Sequence, residues 1–202
     1  MKLFNVEQIR QGDLFTIENE PVSSIDLMER AAGKAACWIS RYYPTYSKFV
    51  IFAGTGNNGG DGVVIARLLA AQDFNVKLFI VRLSENETED FKTNLNRLIS
   101  INLVDITELT ETDELPMIEK DSVIIDALFG SGLTRQLQGF AAQVVKHLYS
   151  SGADIISIDM PSGLFGEDNS ANERDNIIRA KYTLTFQFPK LSFFFPENEK
   201  YT

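Results

Sequence analysis

A glycine-rich segment, GTGNNGGDG at residues 54–62, limits the folds that this chain can adopt. The residues before it, KFVIFA at 48–53, form a β-branched and aromatic run without polar alternation, which is typical of a strand covered on both faces. The residues after it follow an apolar helical pattern as far as about Ala71. A glycine loop that leads from a strand into a helix is the setting that a dinucleotide fingerprint needs.

The alternation of strand and helix patterns continues along the chain. A helix pattern with Ser23 and Ser24 as candidate N-caps precedes the glycine segment and ends at Pro44. The later patterns are strand 75–83, helix 86–100, strand 121–130, helix 138–152, strand 153–163 and strand 180–188. Strands separated by helices predict parallel pairing through right-handed crossovers. We therefore predict an α/β fold, a Rossmann-like three-layer αβα sandwich with a mostly parallel central sheet.

Length and charge favour one domain with a small partner. The 202 residues, 44% of them hydrophobic, suffice for the core of one sizeable α/β domain, which we predict to span residues 1–202. The formal net charge of -9 disfavours nucleic acid and anionic membranes as partners.

Cysteine content and hydropathy bear on the compartment. Cys37 is the only cysteine, so an internal disulfide and a multi-cysteine metal site are both excluded. The chain has no apolar core of signal-peptide length at its start and no run of about 18 apolar residues. These features predict a soluble, cytoplasmic protein.

Three loops that carry polar residues follow predicted strands. They are the glycine segment after Ala53, the segment GSGLTRQLQG that follows the strand containing Asp126, and the segment DMPSGL after Ile158. In an open parallel sheet, ligands bind outside the carboxyl ends of the strands. We therefore expect the three loops to meet in space and to form the functional site.

The first loop favours phosphate binding, but its pattern differs from that of a dehydrogenase. Glycines allow close backbone approach to a pyrophosphate, and the following helix N-terminus favours negative charge. The acidic residue that would hold a ribose at the end of the next strand is absent, and Arg82 stands there. Asn57, Asn58 and Asp61 are unusual in a phosphate cradle, although they also suit turns and the first turn of a helix.

The second and third loops supply candidates for acid–base chemistry. Arg135 offers a planar fork suited to phosphate, or is a solvated loop residue. A nucleophile elbow is disfavoured because Pro161 directly precedes Ser162. His147, the only histidine, lies in an amphipathic helix pattern, so acid–base work falls to Asp126 or Asp159 at their strand ends.

Oxygen-bearing side chains from the three loops also favour a cation. Asn58, Asp126 and Ser162 offer the oxygen ligands that hard cations prefer. Their single formal negative charge fits a monovalent ion better than a divalent one.

Several separated motifs together resemble a known family. The segments GTGNNGGDGVVIAR, DALFGSGLTRQLQG and SIDMPSGL, with LMERAAGKAA before them and TLTFQFPKLSFFFPENEKYT after them, are similar to the NAD(P)H-hydrate epimerases, the YjeF amino-terminal domain family. The resemblance extends over nearly the whole chain. It implies an isomerase that interconverts the R and S epimers of hydrated NADH and NADPH, which carry a hydroxyl at C6 of the nicotinamide ring, in cofactor repair.

The resemblance also implies roles for particular residues. Potassium would be bound by Asn58, Asp126 and Ser162, and Asp159 would contact the substrate near the reacting ring. We hypothesise that Asp159 acts as general acid and then as general base. The hydrated dinucleotide would be bound by Asn57, Asn58, Gly59, Gly60, Asp61, Gly130, Ser131, Gly132, Leu133, Thr134, Arg135, Gln136 and Asp159.

The resemblance also bears on the length of the native chain and on its partners. Family members generally continue beyond PENEKYT, so we expect the native chain to be longer, either through a further strand or into a fused, ADP- or ATP-dependent dehydratase. Apolar residues such as Leu14 and Phe15 in the amino-terminal helices suggest a homodimer.

Lys190 is either a substrate contact or a strand-edge charge. The competing functions are a noncatalytic nucleotide-binding or scaffolding module of the same fold and a conventional dehydrogenase.

Overall fold

A computed structural model describes residues 3–202 and shows one parallel sheet with helices on both faces. The strand order is β3-β2-β1-β4-β5-β6, and every neighbouring pair is parallel. The strands are β1 (Lys48–Ala53), β2 (Asn75–Val81), β3 (Asp105–Leu109), β4 (Val123–Ala127), β5 (Asp154–Ile158) and β6 (Tyr182–Leu184). The helices are α1 (Val6–Asn19), α2 (Ser24–Tyr42), α3 (Asn57–Ala70), α4 (Glu89–Ile101) and α5 (Gly139–Ser150), and short 3-10 helices occur at Arg174–Asn176, Leu191–Phe194 and Pro196–Tyr201.

The alternating side chains of β1 face two separate apolar layers. Phe49 and Ile51 belong to the core cluster that contains the buried residues of α2, α3 and α4. Val50 and Phe52 belong to the cluster that contains the buried residues of α5. Because both faces of β1 are covered, the strand has the continuous apolar pattern of a central strand. The predicted three-layer αβα fold is confirmed, and the sheet is entirely parallel.

Capping side chains mark the starts of α1, α2 and α4. Ser23 lies at the N-cap of α2 and accepts a hydrogen bond from the Asp26 N–H. Thr88 caps α4 in the same way, and Asn5 forms a capping box with Gln8 at the start of α1. Helix α3 differs because its N-cap is Gly56, which has no side chain. The first N–H groups of α3 are therefore left without a side-chain cap, at the carboxyl edge of the sheet.

The structure differs from the sequence prediction at the edges of the sheet. Strand β3 was not predicted, because Asp105, Thr107 and Glu108 are exposed and leave the segment without a strong apolar pattern. The last strand spans three residues rather than 180–188, because the chain turns after Leu184 into the segment that leads to Lys190. No helix within residues 3–202 is long and apolar enough to span a bilayer.

The glycine loop is packed directly against the neighbouring backbone. The Gly54 N–H donates a hydrogen bond of 3.1 Å to the Ala127 carbonyl at the end of β4. A Cβ added at Gly54 would lie 2.3 Å from the Leu128 carbonyl oxygen, and one added at Gly59 would lie 1.8 Å from the Gly54 carbonyl oxygen. These distances leave no space for a side chain, so both glycines are required by the close approach of backbones.

We predict that Gly59→Ala destabilises the protein by about 1–3 kcal/mol or more, because the added methyl group overlaps a carbonyl oxygen that cannot rotate away. Gly56→Ala is the matched control, since a Cβ at Gly56 has no atom within 4 Å. We expect the control to change the free energy of unfolding by less than about 1 kcal/mol. Urea unfolding of the two variants tests this, and equal effects would contradict it.

Candidate active site

The three loops meet at the carboxyl ends of β1, β4 and β5. We call them the first loop (54–62), the second loop (126–136) and the third loop (159–163). A Cβ at Gly130 would lie 3.3 Å from the Asn58 side chain and 3.3 Å from Asp159 Oδ2, so this one position borders side chains of both other loops. The Ser131 N–H donates to Asp159 Oδ2 at 3.3 Å, and the Phe129 N–H donates to Ser162 Oγ at 3.0 Å. The loops therefore form one polar cleft.

Asp126 is fully buried beneath the cleft and accepts four hydrogen bonds. The donors are the Ser157 hydroxyl at 2.7 Å, the Ser162 hydroxyl at 2.5 Å, the Ser162 N–H at 2.9 Å and the Leu128 N–H at 3.3 Å. Burial raises the pKa of Asp126, and the hydrogen bonds from Ser162, Ser157 and Leu128 oppose this effect. The carboxylate thus joins β4, β5 and the third loop.

Asn58 presents an unsatisfied amide in the first turn of α3. Both its Oδ1 and its Nδ2 are buried without a hydrogen-bond partner among the described residues. An unpaired buried amide typically costs about 1–3 kcal/mol, so such groups usually have a partner in the functional state. Asn58 is therefore the strongest local sign that this cleft binds a ligand.

Asp159 accepts hydrogen bonds from the second loop and from the segment that follows β6. Lys190 Nζ donates to Asp159 Oδ1 at 2.6 Å, the Phe186 N–H donates to the same oxygen at 3.3 Å, and Ser131 donates to Oδ2. The Asp159 backbone has φ of 61°, a left-handed conformation that is uncommon for a residue other than glycine. Such strained positions cluster at functional sites.

Lys190 is a residue whose place sequence reasoning left open. Its side chain is 1% exposed, and its ammonium group donates to Asp159 and to the carbonyls of Phe186 and Phe188 at 3.1 and 3.3 Å. All three N–H donors are thus used, as a buried ammonium group requires. Lys190 is therefore neither a strand-edge charge nor free to turn outward, and no sequence spacing links it to Asp159.

Asp61 is also buried at the cleft, and its surroundings differ from those of Asp159. The residue is 9% exposed. Burial raises the pKa of Asp61 well above its ordinary value, and the nearby charges of Asp159, Asp13 and Asp90 raise it further. The carboxyl therefore retains its proton to an unusually high pH.

Helix α1 lies over the loops and contributes charged residues that sequence reasoning did not identify. Asp13 accepts a hydrogen bond from Gln187, and burial and the Asp159 charge raise the pKa of Asp13. A Cβ at Gly132 would lie 3.3 Å from Arg10 Nη2, so the second loop borders the Arg10 guanidinium. The rings of Phe4 and Phe188 are 4.5 Å apart. The amino-terminal segment thus packs against the strand-end segments that form the cleft.

The remaining predicted residues divide into two groups. Gly60 faces away from the cleft, because a Cβ there would lie 2.7 Å from Met28 Sδ on α2. Leu133 is half-buried and belongs to the core on the α5 side. The exposed members of the predicted set are Asn57, Gly132, Thr134, Arg135 and Gln136.

Two residues outside the predicted set have other partners. Arg82 at the end of β2 is paired with Glu108 at 2.7 Å and with Glu87, so its charge is neutralised within the protein. His147 lies in the last turn of α5, at the amino edge of the sheet, and its ring contacts the Pro116 carbonyl. Neither residue belongs to the cleft.

No group of three or more histidine, cysteine, aspartate or glutamate side chains within residues 3–202 is arranged to bind a metal ion. A shallow cavity of about 410 Å³, lined by Glu29, Arg67, Arg97 and others, lies between α2, α3 and α4 and touches none of the three loops. The candidate site is therefore defined by the polar groups that converge at the strand ends.

The fold places the chain among Rossmann-like α/β proteins, and the cleft lies at the topological switch point between β1 and β4, where such proteins bind ligands. Residues 24–192 match the model of the family described as YjeF-related protein N-terminus. The chain belongs to this family.

Several relatives of this chain are named for one activity. An NAD(P)H-hydrate epimerase from Limosilactobacillus fermentum is 30% identical over 194 residues, which cover 96% of this chain and 89% of the relative. A bifunctional NAD(P)H-hydrate repair enzyme Nnr from Thermofilum pendens is 35% identical over 197 residues, 95% of this chain but 36% of the relative. The crystal structure of yeast ynu0 superimposes with a TM-score of 0.82 at 24% identity and covers 98% of this chain and 86% of ynu0, which supports the fold.

We predict that Asp61→Asn stabilises the folded protein near pH 7. Because the folded-state pKa of Asp61 is raised, its contribution to stability is full below the pKa of an unfolded aspartate and is lost as the pH rises towards the folded-state pKa. Asparagine cannot ionise, so the variant avoids that loss. The difference in free energy of unfolding should grow by up to about 1.4 kcal/mol per pH unit within this window.

Urea unfolding at a series of pH values from 3.5 to 8 measures this difference. We expect the variant and the parent protein to have similar stabilities at the acidic end and to diverge as the pH rises. Asp105→Asn, on the exposed start of β3, is the matched control and should show no such divergence. A variant that is less stable than the parent at pH 7 would show that Asp61 is ionised and paired in the folded state.

Proposed function

We propose that this chain is an NAD(P)H-hydrate epimerase, an isomerase that interconverts the R and S epimers of hydrated NADH and NADPH in cofactor repair. The observation that carries the proposal is the match to epimerases along nearly their whole length, together with a cleft that holds Asp159 beside an open helix N-terminus.

The dinucleotide would lie across the first and second loops. The uncapped start of α3, from Asn57, offers backbone N–H groups and the positive end of a helix dipole to the pyrophosphate. Gly130 leaves open the space between Asn58 and Asp159, and Arg135 on the exposed part of the second loop is suited to a phosphate. This arrangement would bring the nicotinamide end of the substrate to Asp159.

Inversion at C6 requires a bond to break and to form again on the opposite face. C6 of the hydrated ring carries the hydroxyl and is bonded to the ring nitrogen, so loss of water leaves an iminium-like cation that water can attack from either side. Asp159 is held as a hydrogen-bond acceptor by Lys190, Phe186 and Ser131. Its carboxylate is suited to stabilise the cation and to accept a proton from the attacking water. Neither a redox step nor a covalent enzyme intermediate is needed.

We further propose a potassium site formed by Asn58, Asp126 and Ser162. The unpartnered Asn58 amide supplies an oxygen without a donor, and Asp126 and Ser162 supply a buried carboxylate and a hydroxyl. One negative charge among oxygen ligands fits a monovalent cation. When bound, the ion would supply a fixed positive charge next to the phosphate-binding loop.

The proposal extends to the cellular setting. An epimerase makes the whole pool of hydrated cofactor available to a dehydratase that accepts one epimer, and the Thermofilum relative is named as a bifunctional repair enzyme. We propose a dehydratase partner, fused or separate, and a cytoplasmic location, which suits a chain with one cysteine. Leu14 and Phe15 are 59% and 67% exposed on α1, and we propose that they contribute to a homodimer.

We predict that the protein converts one isolated epimer of hydrated NADH into an equilibrium mixture of both. In water enriched in oxygen-18, the product should carry the label at the C6 hydroxyl, because the proposed route breaks the C–O bond. Asp159→Asn should lower kcat by about 10²- to 10⁴-fold while dinucleotide binding is retained. Asp73→Asn, on the exposed turn before β2, is the control that should keep full activity.

Chromatographic separation of the epimers, with mass spectrometry of each, measures both rate and label. Epimerisation without incorporation of label would contradict C–O cleavage. Normal turnover by the Asp159→Asn variant would remove Asp159 from the reaction.

We predict that potassium stabilises the protein and that this effect depends on Asn58. At a potassium concentration about ten times the Kd, the gain is about 1.4 kcal/mol, which raises the Tm by about 3–5 °C for a chain of this size. Asn58→Ala should lose the potassium response, and Asn57→Ala, the exposed neighbour, should keep it. Thermal unfolding in potassium chloride and in choline chloride at equal ionic strength makes the comparison, and an equal response of both variants would contradict the site.

A further inference from the structure

The carboxyl groups around the cleft do not have equivalent partners. Asp159 accepts from Lys190, Asp13 accepts from Gln187, and Asp90 accepts from Ser24. Among residues 3–202, no side chain or backbone N–H group donates to Asp61, and no cation pairs with it. Asp61 is thus the buried carboxyl group of the cleft without a hydrogen-bond donor.

This difference sets the form in which Asp61 exists. Asp61 is 9% exposed, and a mostly buried carboxylate with no protein donor and no cation is disfavoured relative to its neutral form. The three charged neighbours come from separate elements: Asp13 from α1, Asp90 from α4 and Asp159 from the end of β5. On the α2 side, the apolar Met28 lies against Gly60, next to Asp61.

One effect opposes the neutral form, and it is weaker. Asp61 is the fifth residue of α3, and a helix N-terminus favours a negative charge, but this effect declines beyond the first turn. Desolvation is the largest influence on the pKa of Asp61 and favours the neutral form. The Lys190 charge offsets little of this, because its ammonium group is committed to Asp159 and two carbonyls.

We propose that Asp61 is the general acid of the epimerisation and Asp159 its general base, a division of roles that rests on the proposed function and assigns Asp61 a task beyond substrate binding. The two groups carry one proton between them. Asp61 donates because it is neutral and unpaired, and Asp159 accepts because Lys190 and two N–H groups hold it as an acceptor.

The proposed step moves one proton and breaks and forms one C6–O bond. The Asp61 carboxyl proton moves to the C6 hydroxyl, the C6–O bond breaks with its electron pair on the departing water, and the ring nitrogen lone pair forms the C6=N bond. Water then adds to the opposite face of C6, the C=N electron pair returns to nitrogen, and Asp159 accepts the proton of that water. Asp159 finally returns the proton to Asp61 through solvent, so nothing is oxidised or reduced.

In this proposal Asp61 and Asp159 act on opposite faces of C6, so the reverse conversion uses the same two groups with their roles exchanged. Both directions need the pair to carry exactly one proton. Activity should therefore be lost at high pH, when Asp61 ionises.

The test compares pH profiles of kcat/KM from pH 4 to 10 for the parent protein and for Asp61→Asn, Asp61→Glu and Asp73→Asn. We expect kcat/KM of the parent and of Asp73→Asn to decline at high pH. Asp61→Asn should be at least about 100-fold slower and should lack the decline at high pH. Asp61→Glu, which keeps an acid, should recover activity and a high-pH decline. Affinity for NADPH, a nonreacting dinucleotide, should stay within about threefold in all variants.

A second measurement follows Asp61 without turnover. In carbon-13 NMR of aspartate carboxyl groups, the resonance that is lost in Asp61→Asn should titrate well above the ordinary aspartate range and at the pH of the high-pH decline. Titration of Asp61 in the ordinary aspartate range would overturn the proposal, as would an Asp61→Asn variant within threefold of parental activity or with the high-pH decline intact.

The failure of the proposed function has a distinct signature. A parent protein that does not convert a single epimer, while the Limosilactobacillus fermentum epimerase does so in the same assay, overturns the function and with it the acid role. A parent protein that is active while Asp61→Asn remains equally active overturns the acid role alone.

Discussion

The close backbone contact between the ends of β1 and β4 determines where the chemistry of this protein occurs. The Gly54 N–H donates to the Ala127 carbonyl, Gly54 allows the first loop to lie against the Leu128 backbone, and Gly59 allows the start of α3 to pack on Gly54. Because β1 and β4 carry helices on opposite faces of the sheet, their loops diverge from this contact and leave a cleft between them. The buried Asp126 then ties the third loop to the same place through Ser162. The close contact between the ends of β1 and β4 therefore explains both the glycines of the first loop and the position of the cleft.

The carboxyl groups near the cleft differ in whether a hydrogen-bond donor or a cation reaches them. The charges of Asp13, Asp90 and Asp159 all raise the pKa of Asp61, and among residues 3–202 the buried Lys190 pairs with Asp159. Lys190 forms its ion pair with Asp159, so Asp61 is left to stay neutral. A site that must both give and take a proton needs one protonated and one ionised carboxyl group, and unequal surroundings determine which group carries the proton.

The sequence contained most of the fold but only part of the site. Central strands were predictable because residues such as Phe49 to Ala53 are apolar and buried. Strand β3 was not predicted because the exposed Asp105 and Glu108 interrupt its apolar pattern. The three loops were predictable from glycines and from polar residues at strand ends. The Asp159–Lys190 pair and the approach of Asp13 were not, because they depend on how the segment after β6 and helix α1 return over the cleft. The neutral form of Asp61 depends on absent donors, which only a three-dimensional arrangement reveals.

The departure from a dehydrogenase fingerprint has a physical counterpart in the structure. In a dinucleotide-dependent dehydrogenase, an acidic residue at the end of the second strand holds a ribose, and the ring is positioned for hydride transfer to one face. Here Arg82 occupies that strand end and is neutralised by Glu87 and Glu108. The polar groups are concentrated instead around Asp61, Asp126 and Asp159. An epimerase must act on both faces of C6, so acid and base groups around the ring matter more than a fixed direction of hydride transfer, and the distribution of charge in this cleft agrees with that requirement.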